Sequence, residues 1–327
     1  MDQKIRWGII GLGNIAHHFA KDLGLVKDGE LVAVASRNKD KASEFAKAYQ
    51  VGSAYGSYAE LMEDKEVDVI YIATPHTSHA ELSILCMEHG KHVLCEKPMG
   101  VNRKEVEQMI AVAQKQEVFL MEALWSRFNP TIYKVKELVD QGTIGDIAYL
   151  HANFAFYALD RDEKSRLLNP DLAGGSLLDI GIYPIFLAYL ILGKPDRVLS
   201  AANFHTTGIE AQTSMIFSYK NAQAVLYSGL KSKSEMRAEL SGSQGSIFIE
   251  PRWHEASAYS IEKEGSEERF ELPPTGKGYF HEILEVQACL RANKTQSMLW
   301  SHQNSLDLIE LMDLVRAQNN ITFPFES

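Results

Sequence analysis

The 327-residue sequence predicts an α/β protein with two domains. The first is expected to be a doubly wound parallel sheet, and the second an α+β domain with a largely antiparallel open sheet. Three observations predict this. Short apolar runs alternate with amphipathic helical patterns through the first domain. A glycine-rich turn, Gly11–Ala16, separates the first strand from the first helix. After Trp125 a succession of β-like runs follows. We place the domains at residues 1–123 and 124–327.

In the first domain, strands read as short continuous apolar runs, as expected for a buried parallel sheet. Helices show apolar residues at a spacing of about 3.6. Gly90 suits the end of the helix before it. The expected elements are strand Lys4–Ile10, helix Ile15–Leu23, strand Leu31–Ala35, helix Lys39–Tyr49, strand Val67–Ala73, helix Ser78–His89, strand His92–Cys95, helix Arg103–Lys115 and strand Val118–Met121.

In the second domain, most strands follow one another directly, which predicts antiparallel neighbours. The charged stretch Glu262–Glu271 is expected to form an exposed hairpin or sheet edge. The other expected elements are helix Thr131–Val139, strand Ile147–Phe156, helix Ser176–Leu192, strands Val198–Phe204, Ala211–Tyr219, Gln223–Leu230, Arg237–Ser241 and Ser246–Ile249, and helices Tyr279–Ala292 and His302–Gln318.

Composition excludes several classes of protein. The formal net charge is −10, with no block of basic residues, so nucleic acid is not an expected partner. The longest apolar run, Ile180–Leu192, is too short to span a bilayer, so no membrane association is expected. Cys86, Cys95 and Cys289 lack the spacing of a disulfide framework or metal site. With no signal-peptide pattern, a cytoplasmic protein is expected.

The turn Gly11-Leu12-Gly13-Asn14-Ile15-Ala16 has the pattern G-x-G-x-x-A between a strand and a helix. Gly11 and Gly13 permit a tight turn and close approach of a pyrophosphate. The following helix, entered through Asn14 and Ile15, offers unpaired N–H groups and the positive end of its dipole. This context predicts a dinucleotide-binding turn rather than a plain glycine turn.

Ser36 and Arg37 follow the second strand. An acidic residue here would bind the ribose 2′-hydroxyl of NAD, and none is present. A hydroxyl and a guanidinium suit a 2′-phosphate, so NADP is favoured and NAD stays possible. Arg37 as a solvent-facing loop residue is the simpler alternative.

Thr74, Pro75, His76 and His79 lie at the carboxyl end of strand Val67–Ala73. This position faces the nicotinamide half of a bound dinucleotide, so all four are candidate cofactor contacts. For His79, packing at the helix start is an equal alternative. The histidines are three apart, but no carboxylate or cysteine completes a metal site, and no metal is expected.

Glu96-Lys97-Pro98 follows strand His92–Cys95. Ligands of an open α/β sheet lie at the carboxyl ends of its strands, which places Glu96 and Lys97 at the cofactor. Pro98 biases the backbone of Lys97 toward an extended conformation. A solvated charge pair is the alternative for this tripeptide considered alone.

Asp179 and Tyr183 are four residues apart on a predicted helix and share one face. The residues between them are apolar or glycine, which favours an acid and a phenol lining a pocket. A tyrosine beside a lysine ammonium has a lowered pKa and serves as a proton donor and acceptor. The alternative is a capping aspartate and a core tyrosine.

Together, Gly11–Ala16, Glu96–Pro98 and Asp179–Tyr183 resemble the Gfo/Idh/MocA family of nicotinamide-dependent oxidoreductases over essentially the whole chain. Many sugar dehydrogenases of the family have histidine where Tyr183 stands. Tyrosine, with the stretch Glu122–Phe128, resembles the branch that contains dihydrodiol and D-xylose dehydrogenases.

That resemblance implies Lys97 and Tyr183 as the catalytic pair, Asp179 as their support, and Trp125 as a substrate contact. Phe154, which begins a loop running to Arg166, is a further candidate for substrate contact. The resemblance also implies a homodimer, or a dimer of dimers, formed through the second-domain sheets.

The sequence thus predicts a dehydrogenase that uses NADP and acts on a sugar or a vicinal diol. An NAD-dependent sugar or inositol dehydrogenase is the alternative within the enzymes. A non-catalytic NADPH-binding sensor is the alternative of another class, although both Lys97 and Tyr183 are present.

Overall fold

The computed structural model describes residues 4–326. Residues 1–3, which the first domain was expected to include, lie outside the described part, as does Ser327. The strands are β1 Ile5–Ile10, β2 Gly29–Ala35, β3 Ser53–Tyr55, β4 Val69–Ile72, β5 His92–Glu96, β6 Leu120–Ala123, β7 Ile147–Ala155, β8 Arg197–Phe204, β9 Glu210–Ser218, β10 Gln223–Gly229, β11 Ala238–Gly242, β12 Gly245–Ile249, β13 Ala258–Lys263 and β14 Ser266–Glu271.

The predicted fold class is confirmed. The helices are α1 Asn14–Leu23, α2 Lys39–Tyr49, α3 Tyr58–Glu63, α4 His79–Glu88, α5 Arg103–Gln116, α6 Pro130–Asp140, α7 Ile182–Leu192, α8 Tyr279–Arg291 and α9 His302–Asn319. The chain divides into two compact units. Within the described residues, the first comprises residues 4–128 and 275–306, and the second residues 129–274 and 307–326.

The first unit contains a six-stranded sheet with the order β3-β2-β1-β4-β5-β6, and its neighbouring strands are parallel. All four residues of β4 are buried, which explains its uninterrupted apolar sequence. The order reverses between β1 and β4, so the turns after these strands lie side by side at the carboxyl edge of the sheet.

Two elements of the first unit were not predicted. Strand β3 has only three half-buried residues and no apolar run. Helix α3 has only six residues, but Ser57 and Glu60 form a capping box at its start. The capping box was therefore the one local signal available in the sequence.

The second unit contains an eight-stranded sheet with the order β14-β13-β12-β11-β7-β10-β9-β8. Strands β7 and β10 pair in parallel, and the other neighbours pair antiparallel. The charged stretch predicted as a hairpin or sheet edge forms the end of β13 and all of β14, at one edge of the sheet. Glu264 and Gly265 have positive φ in its turn, as a two-residue hairpin loop requires.

One helix in the described residues, Pro170–Leu192, is long and apolar enough by composition to cross a membrane. Within its most apolar window 78% is buried inside the protein. It is longer than the predicted apolar run because the irregular segment before α7 is continuous with it. A helix that is buried to this extent packs in the core of a protein.

The segment Thr275–Leu306 belongs to the first unit, whereas a single boundary between residues 123 and 124 assigns it to the second domain. Hydrogen bonds between Asp22 of α1 and the start of α8 connect this segment to the first unit. Both carboxylate oxygens of Asp22 accept the N–H of Lys277 at 2.9 Å, and one accepts the N–H of Phe280 at 3.2 Å. A carboxylate stabilises a helix start, and this one ties α8 to α1 across more than 250 residues.

Candidate active site

The glycine turn follows β1 and leads into α1 as predicted. Gly11 has φ +90°, and a Cβ on it would lie 2.6 Å from the Ala73 carbonyl, so no side chain fits there. A Cβ on Gly13 would meet no described atom within 4 Å, and no described side chain caps α1. This open helix start fits the pyrophosphate of a dinucleotide. Asn14 and Ile15 are exposed beside it.

Ser36 and Arg37 lie directly after β2. The Ser36 side chain is buried, and its hydroxyl accepts the N–H of Asn38 at 3.2 Å. Asn38 in turn caps α2 by accepting the N–H of Lys41 at 3.1 Å. Arg37 is exposed. Hydroxyl, guanidinium and helix start therefore occupy one short segment, which suits an anionic group.

The two histidines after β4 differ in environment. His79 is fully buried, with Nδ1 2.8 Å from the Pro98 carbonyl and Nε2 2.9 Å from the Thr74 carbonyl. Burial lowers the pKa of His79, although both carbonyls oppose that shift. His79 therefore links the turn after β4 to the turn after β5.

The ring of His76 lies 5.7 Å from that of His79. Residues 4–326 contain no group of three or more His, Cys, Asp or Glu side chains that could hold a metal ion. Cofactor contacts by Thr74, Pro75, His76 and His79 stay predictions.

Two buried carboxylates hold the lysine-containing turn. Glu96 ends β5, and its carboxylate accepts the Tyr71 hydroxyl and, at 3.2 Å, the N–H of Lys97. The Lys97–Pro98 bond is cis. Beyond it, Glu122 of β6 accepts the N–H of Met99 at 2.9 Å. The backbone on both sides of the half-buried Lys97 side chain is thereby fixed.

Glu122 is itself anchored from a distant part of the chain. Its second carboxylate oxygen accepts the Trp300 indole N–H at 3.1 Å and the Ser305 hydroxyl at 2.7 Å. Burial raises the pKa of Glu122, while these donors and the positive charge of Lys97 lower it. In the sequence, Glu122 was noted only as part of a family pattern, and this role was not predicted.

Trp125 follows β6 in a short 3₁₀ turn and is 8% exposed. Its ring stacks on that of Tyr279, with centroids 5.2 Å apart and planes at 4°. Gly278 has φ +106°, and a Cβ on it would lie 2.8 Å from the Trp125 ring. The glycine therefore allows α8 to begin directly against the tryptophan. Tyr279 was not predicted as a contact of Trp125.

In the second unit, Asp179 lies in a π-helical turn, Leu177–Gly181, that leads into α7. Such turns are rare and frequently occur at functional sites. Asp179 is 5% exposed and accepts two hydrogen bonds from the Arg166 guanidinium, at 2.7 and 3.3 Å. The paired donors fix the orientation of the carboxylate.

Tyr183 is 5% exposed in the first turn of α7. Its ring centroid lies 5.5 Å from that of Phe154 and 5.4 Å from that of His254. Phe154 and His254 stack on each other at 4.0 Å. Phe154, predicted as a substrate contact, therefore lies beside Tyr183. His254 was missed, because nothing in its local sequence distinguishes it from a loop residue.

A buried carboxylate also supports the start of this segment. Glu210 of β9 accepts the hydroxyls of Ser176 and Thr213, each at 2.6 Å, and the N–H of Leu177 at 2.8 Å. Burial raises the pKa of Glu210, and its donors oppose that shift. Gly175 has φ +125°, and a Cβ on it would lie 3.1 Å from the Glu210 carbonyl oxygen. Sequence reasoning did not identify Glu210.

Two family models match the chain. One, described as an oxidoreductase family with an NAD-binding Rossmann fold, matches residues 5–124. The other, described as a GFO/IDH/MocA C-terminal domain, matches residues 132–248.

Similar proteins span nearly the whole chain. The trans-1,2-dihydrobenzene-1,2-diol dehydrogenase of Mus musculus is 37% identical over 98% of this chain and 98% of its own length. The dehydrogenase of that name from Xenopus tropicalis is 34% identical over 98% and 99%. A solved structure of a 3-ketoreductase from Actinomadura kijaniata, in complex with NADP and TDP-benzene, superimposes with a TM-score of 0.88 at 27% identity, covering 97% of this chain and 98% of that chain.

Proposed function

Because this chain belongs to the Gfo/Idh/MocA family of oxidoreductases, with its dinucleotide-binding Rossmann unit, we propose that it is an NADP(H)-dependent dehydrogenase of sugars or vicinal diols. Hydride transfer would connect the nicotinamide with a carbinol or carbonyl carbon. The observation that carries the proposal is the Lys97 turn, since two buried carboxylates fix a lysine at the carboxyl edge of a parallel sheet.

The bound nicotinamide supplies the hydride acceptor or donor in such a reaction. In the proposed mechanism the phenolate of Tyr183 takes the proton of the substrate hydroxyl during oxidation and becomes the phenol, which returns the proton during reduction. The ammonium of Lys97 stabilises the developing oxyanion. Asp179, oriented by Arg166, supports the helix start that carries Tyr183. The aromatic pair Phe154 and His254 shields the phenol from water.

Trp125 and Phe154 are the proposed apolar contacts of the substrate. Both are aromatic and nearly buried, which suits the face of a carbocycle or pyranose ring. The mouse relative is named for a dihydrodiol, and the structural relative is named a ketoreductase. The interconversion of a carbinol and a carbonyl carbon is common to both names.

An absorbance assay at 340 nm tests this function. The purified protein is incubated with NADP and a panel of pentoses, hexoses, inositols and trans-dihydrodiols, and NADP reduction is followed. We expect turnover with at least one diol or sugar. NADPH binding without turnover of any of these substrates, or of the matching ketones, would instead favour the non-catalytic sensor. Turnover with NAD alone would favour an NAD-dependent sugar or inositol dehydrogenase.

The proposed preference for NADP depends on Arg37. Replacing Arg37 with alanine should weaken NADPH binding about tenfold to hundredfold, because a charge-assisted bond to phosphate contributes about 1.5–3 kcal/mol. Binding of NADH, which lacks the 2′-phosphate, should change less than about twofold. Fluorescence titration with NADPH and with NADH measures the two dissociation constants.

Arg291→Ala is the matched control, since it removes an arginine of the same unit that pairs with Asp28. Equal weakening of NADPH and NADH binding by Arg37→Ala would contradict the proposed role. So would tighter binding of NADH than NADPH by the unmodified protein.

The open face of the second sheet supports the proposed homodimer or dimer of dimers. Leu199 and Ile216 lie opposite each other on β8 and β9, and each is 41% exposed. Val225 neighbours Ile216 on β10, and Phe204 is 47% exposed at the end of β8. Adjacent exposed apolar side chains mark interaction surfaces. Analytical ultracentrifugation should give a dimer that Ile216→Lys weakens; a monomer for the unmodified protein would exclude this surface.

We also propose a cytoplasmic location. The three cysteines are free and buried, as in a protein that keeps reduced thiols. Cell fractionation with antibody detection tests this, and recovery in a membrane or secreted fraction would contradict it.

A further inference from the structure

Tyr71 has a hydroxyl that packing alone does not require. It lies in β4 with no exposed surface, and its ring stacks on Phe19 of α1, with centroids 3.7 Å apart and planes at 11°. A phenylalanine would make the same stacking contact. A buried tyrosine hydroxyl must instead find a hydrogen-bond partner, and here it donates to the Glu96 carboxylate. The hydroxyl of Tyr71 therefore acts as a hydrogen-bond donor to the Glu96 carboxylate.

Glu96 connects that hydroxyl to the lysine backbone. In the parallel pairing, Tyr71 lies opposite Leu94, so Tyr71 and Glu96 emerge on the same face of the sheet. One Glu96 oxygen accepts the Tyr71 hydroxyl, and the other lies 3.2 Å from the N–H of Lys97. Glu96 is only 8% exposed, so its charge depends on such donors. Both oxygens are thus engaged, one on the core side and one on the lysine side.

A second carboxyl group lies on the core side of Tyr71 and Glu96. Glu282 of α8 is fully buried, and neither carboxyl oxygen has a hydrogen-bond partner within residues 4–326. Burial, and then the negative charges of Glu96 and Asp22, raise the pKa of Glu282 well above its ordinary value. This direction favours the neutral form of Glu282 next to Glu96. A neutral acid at this place also avoids a second buried negative charge.

Several titratable groups interact with Glu96 or with the groups next to it. They come from each element packed around the end of β5. These groups are Asp22 on α1, Tyr71 on β4, His79 on α4, Cys95 and Lys97 on β5 and its turn, Glu122 on β6, and Tyr279 and Glu282 on α8.

We propose that Tyr71 is a positioning residue for Lys97 that acts through Glu96. The inference rests on the proposed function, since it assigns Tyr71 to the reaction of Lys97. The Tyr71 hydroxyl stabilises the ionised form of Glu96 and holds the carboxylate against the Lys97 backbone. Without that donor, one buried oxygen of Glu96 loses a hydrogen bond, which favours uptake of a proton by the carboxylate or its rotation. Protonation changes the charge next to Lys97, and rotation changes the backbone geometry from which the Lys97 side chain extends.

Tyr71→Phe tests this with little change of volume. We expect kcat to fall about tenfold at pH 7, equivalent to about 1.4 kcal/mol in the barrier, with the KM for NADPH changed less than about twofold. The ratio of wild-type to variant kcat should increase as pH falls from 8 to 6. The reason is that a carboxylate without its donor takes up a proton at higher pH than one that keeps it. A purely structural role would give the same ratio at both pH values.

Tyr55→Phe is the matched control. Tyr55 ends the short strand β3 in the same unit, and its hydroxyl donates to Asp64 at 2.9 Å, away from the lysine turn. This variant should keep wild-type kcat at every pH. Thermal melting of both variants verifies that each is folded. Wild-type kcat for Tyr71→Phe, or a kcat ratio independent of pH, would overturn the proposal.

A measurement without substrate separates this proposal from the proposed function. The reaction of the Lys97 amine with acetic anhydride is followed by peptide mass spectrometry, with the exposed Lys115 as internal reference. In Tyr71→Phe, Lys97 should react about threefold faster or more at pH 7, because the carboxylate next to it has lost negative charge or moved away. An unchanged rate would overturn the role of Tyr71 even in an active enzyme. If Lys97→Met kept full turnover, the proposed function would fail whatever the labelling showed.

Discussion

Replacing Lys97 with methionine is expected to lower kcat at least about a hundredfold, because removing one preorganised donor to a developing oxyanion typically costs a factor of about 10²–10³. Methionine keeps the length and the apolar stem of the side chain. The turn itself is held by Glu96 and Glu122 through the backbone, so the fold and the open helix start at Gly13 should be unaffected. The Kd for NADPH should therefore change by less than about threefold. Steady-state kinetics and fluorescence titration measure the two quantities.

Lys115→Met is the control for this substitution, since Lys115 is an exposed lysine in the last turn of α5. It should leave kcat and cofactor affinity unchanged. Wild-type turnover by Lys97→Met would exclude the proposed mechanism. A loss of NADPH affinity as large as the loss of kcat would instead make Lys97 a cofactor-binding residue without a role in the chemical step.

Replacing Tyr183 with phenylalanine should also lower kcat about a hundredfold or more, within the range of about 10²–10⁴ that general acid–base catalysis contributes. The phenylalanine ring can keep the contacts of Tyr183 with Phe154 and His254, so the loss reports the hydroxyl rather than the packing. The substrate KM should change little if the phenol acts mainly in the transition state. The rates of oxidation and reduction should fall by the same factor, because one group would serve both directions.

The control for Tyr183→Phe lies on the same helix. Tyr189 of α7 donates its hydroxyl to Asp307 at 2.8 Å, and Tyr189→Phe removes that bond without touching the aromatic cluster. It should keep wild-type kcat. If Tyr183→Phe kept at least half of the wild-type kcat, another group would have to exchange the proton.

The double variant Lys97→Met/Tyr183→Phe shows whether the two residues act in one step. Groups that act as a unit are strongly non-additive, so the double variant should be about as slow as the slower single variant. If the factor by which kcat falls in the double variant equals the product of the two single factors, the two side chains contribute independently.

The sequence by itself was sufficient for the fold class and for the segments that contain the candidate site. Apolar periodicity located β1, β4 and β5, because a buried parallel strand requires a continuous apolar run. The glycine turn could be interpreted because only glycine tolerates φ +90° against the Ala73 backbone. Glu96–Pro98 and Asp179–Tyr183 were identified as short motifs, and their catalytic roles stay predictions. Short elements such as β3 were missed because three residues are too few to show a periodic pattern of apolar residues.

Only the tertiary structure decided which side chains support those motifs. Glu122 and Trp300 are 178 positions apart in the chain, and Ser176 and Glu210 are 34 apart. The Tyr71–Glu96 bond spans 25 positions between neighbouring strands. No local pattern encodes such pairs, because a buried carboxylate obtains its hydrogen-bond donors from whichever elements the fold brings beside it. The sequence therefore determined where Lys97 and Tyr183 lie in the chain, whereas the packing of distant elements determined what orients the segments around them.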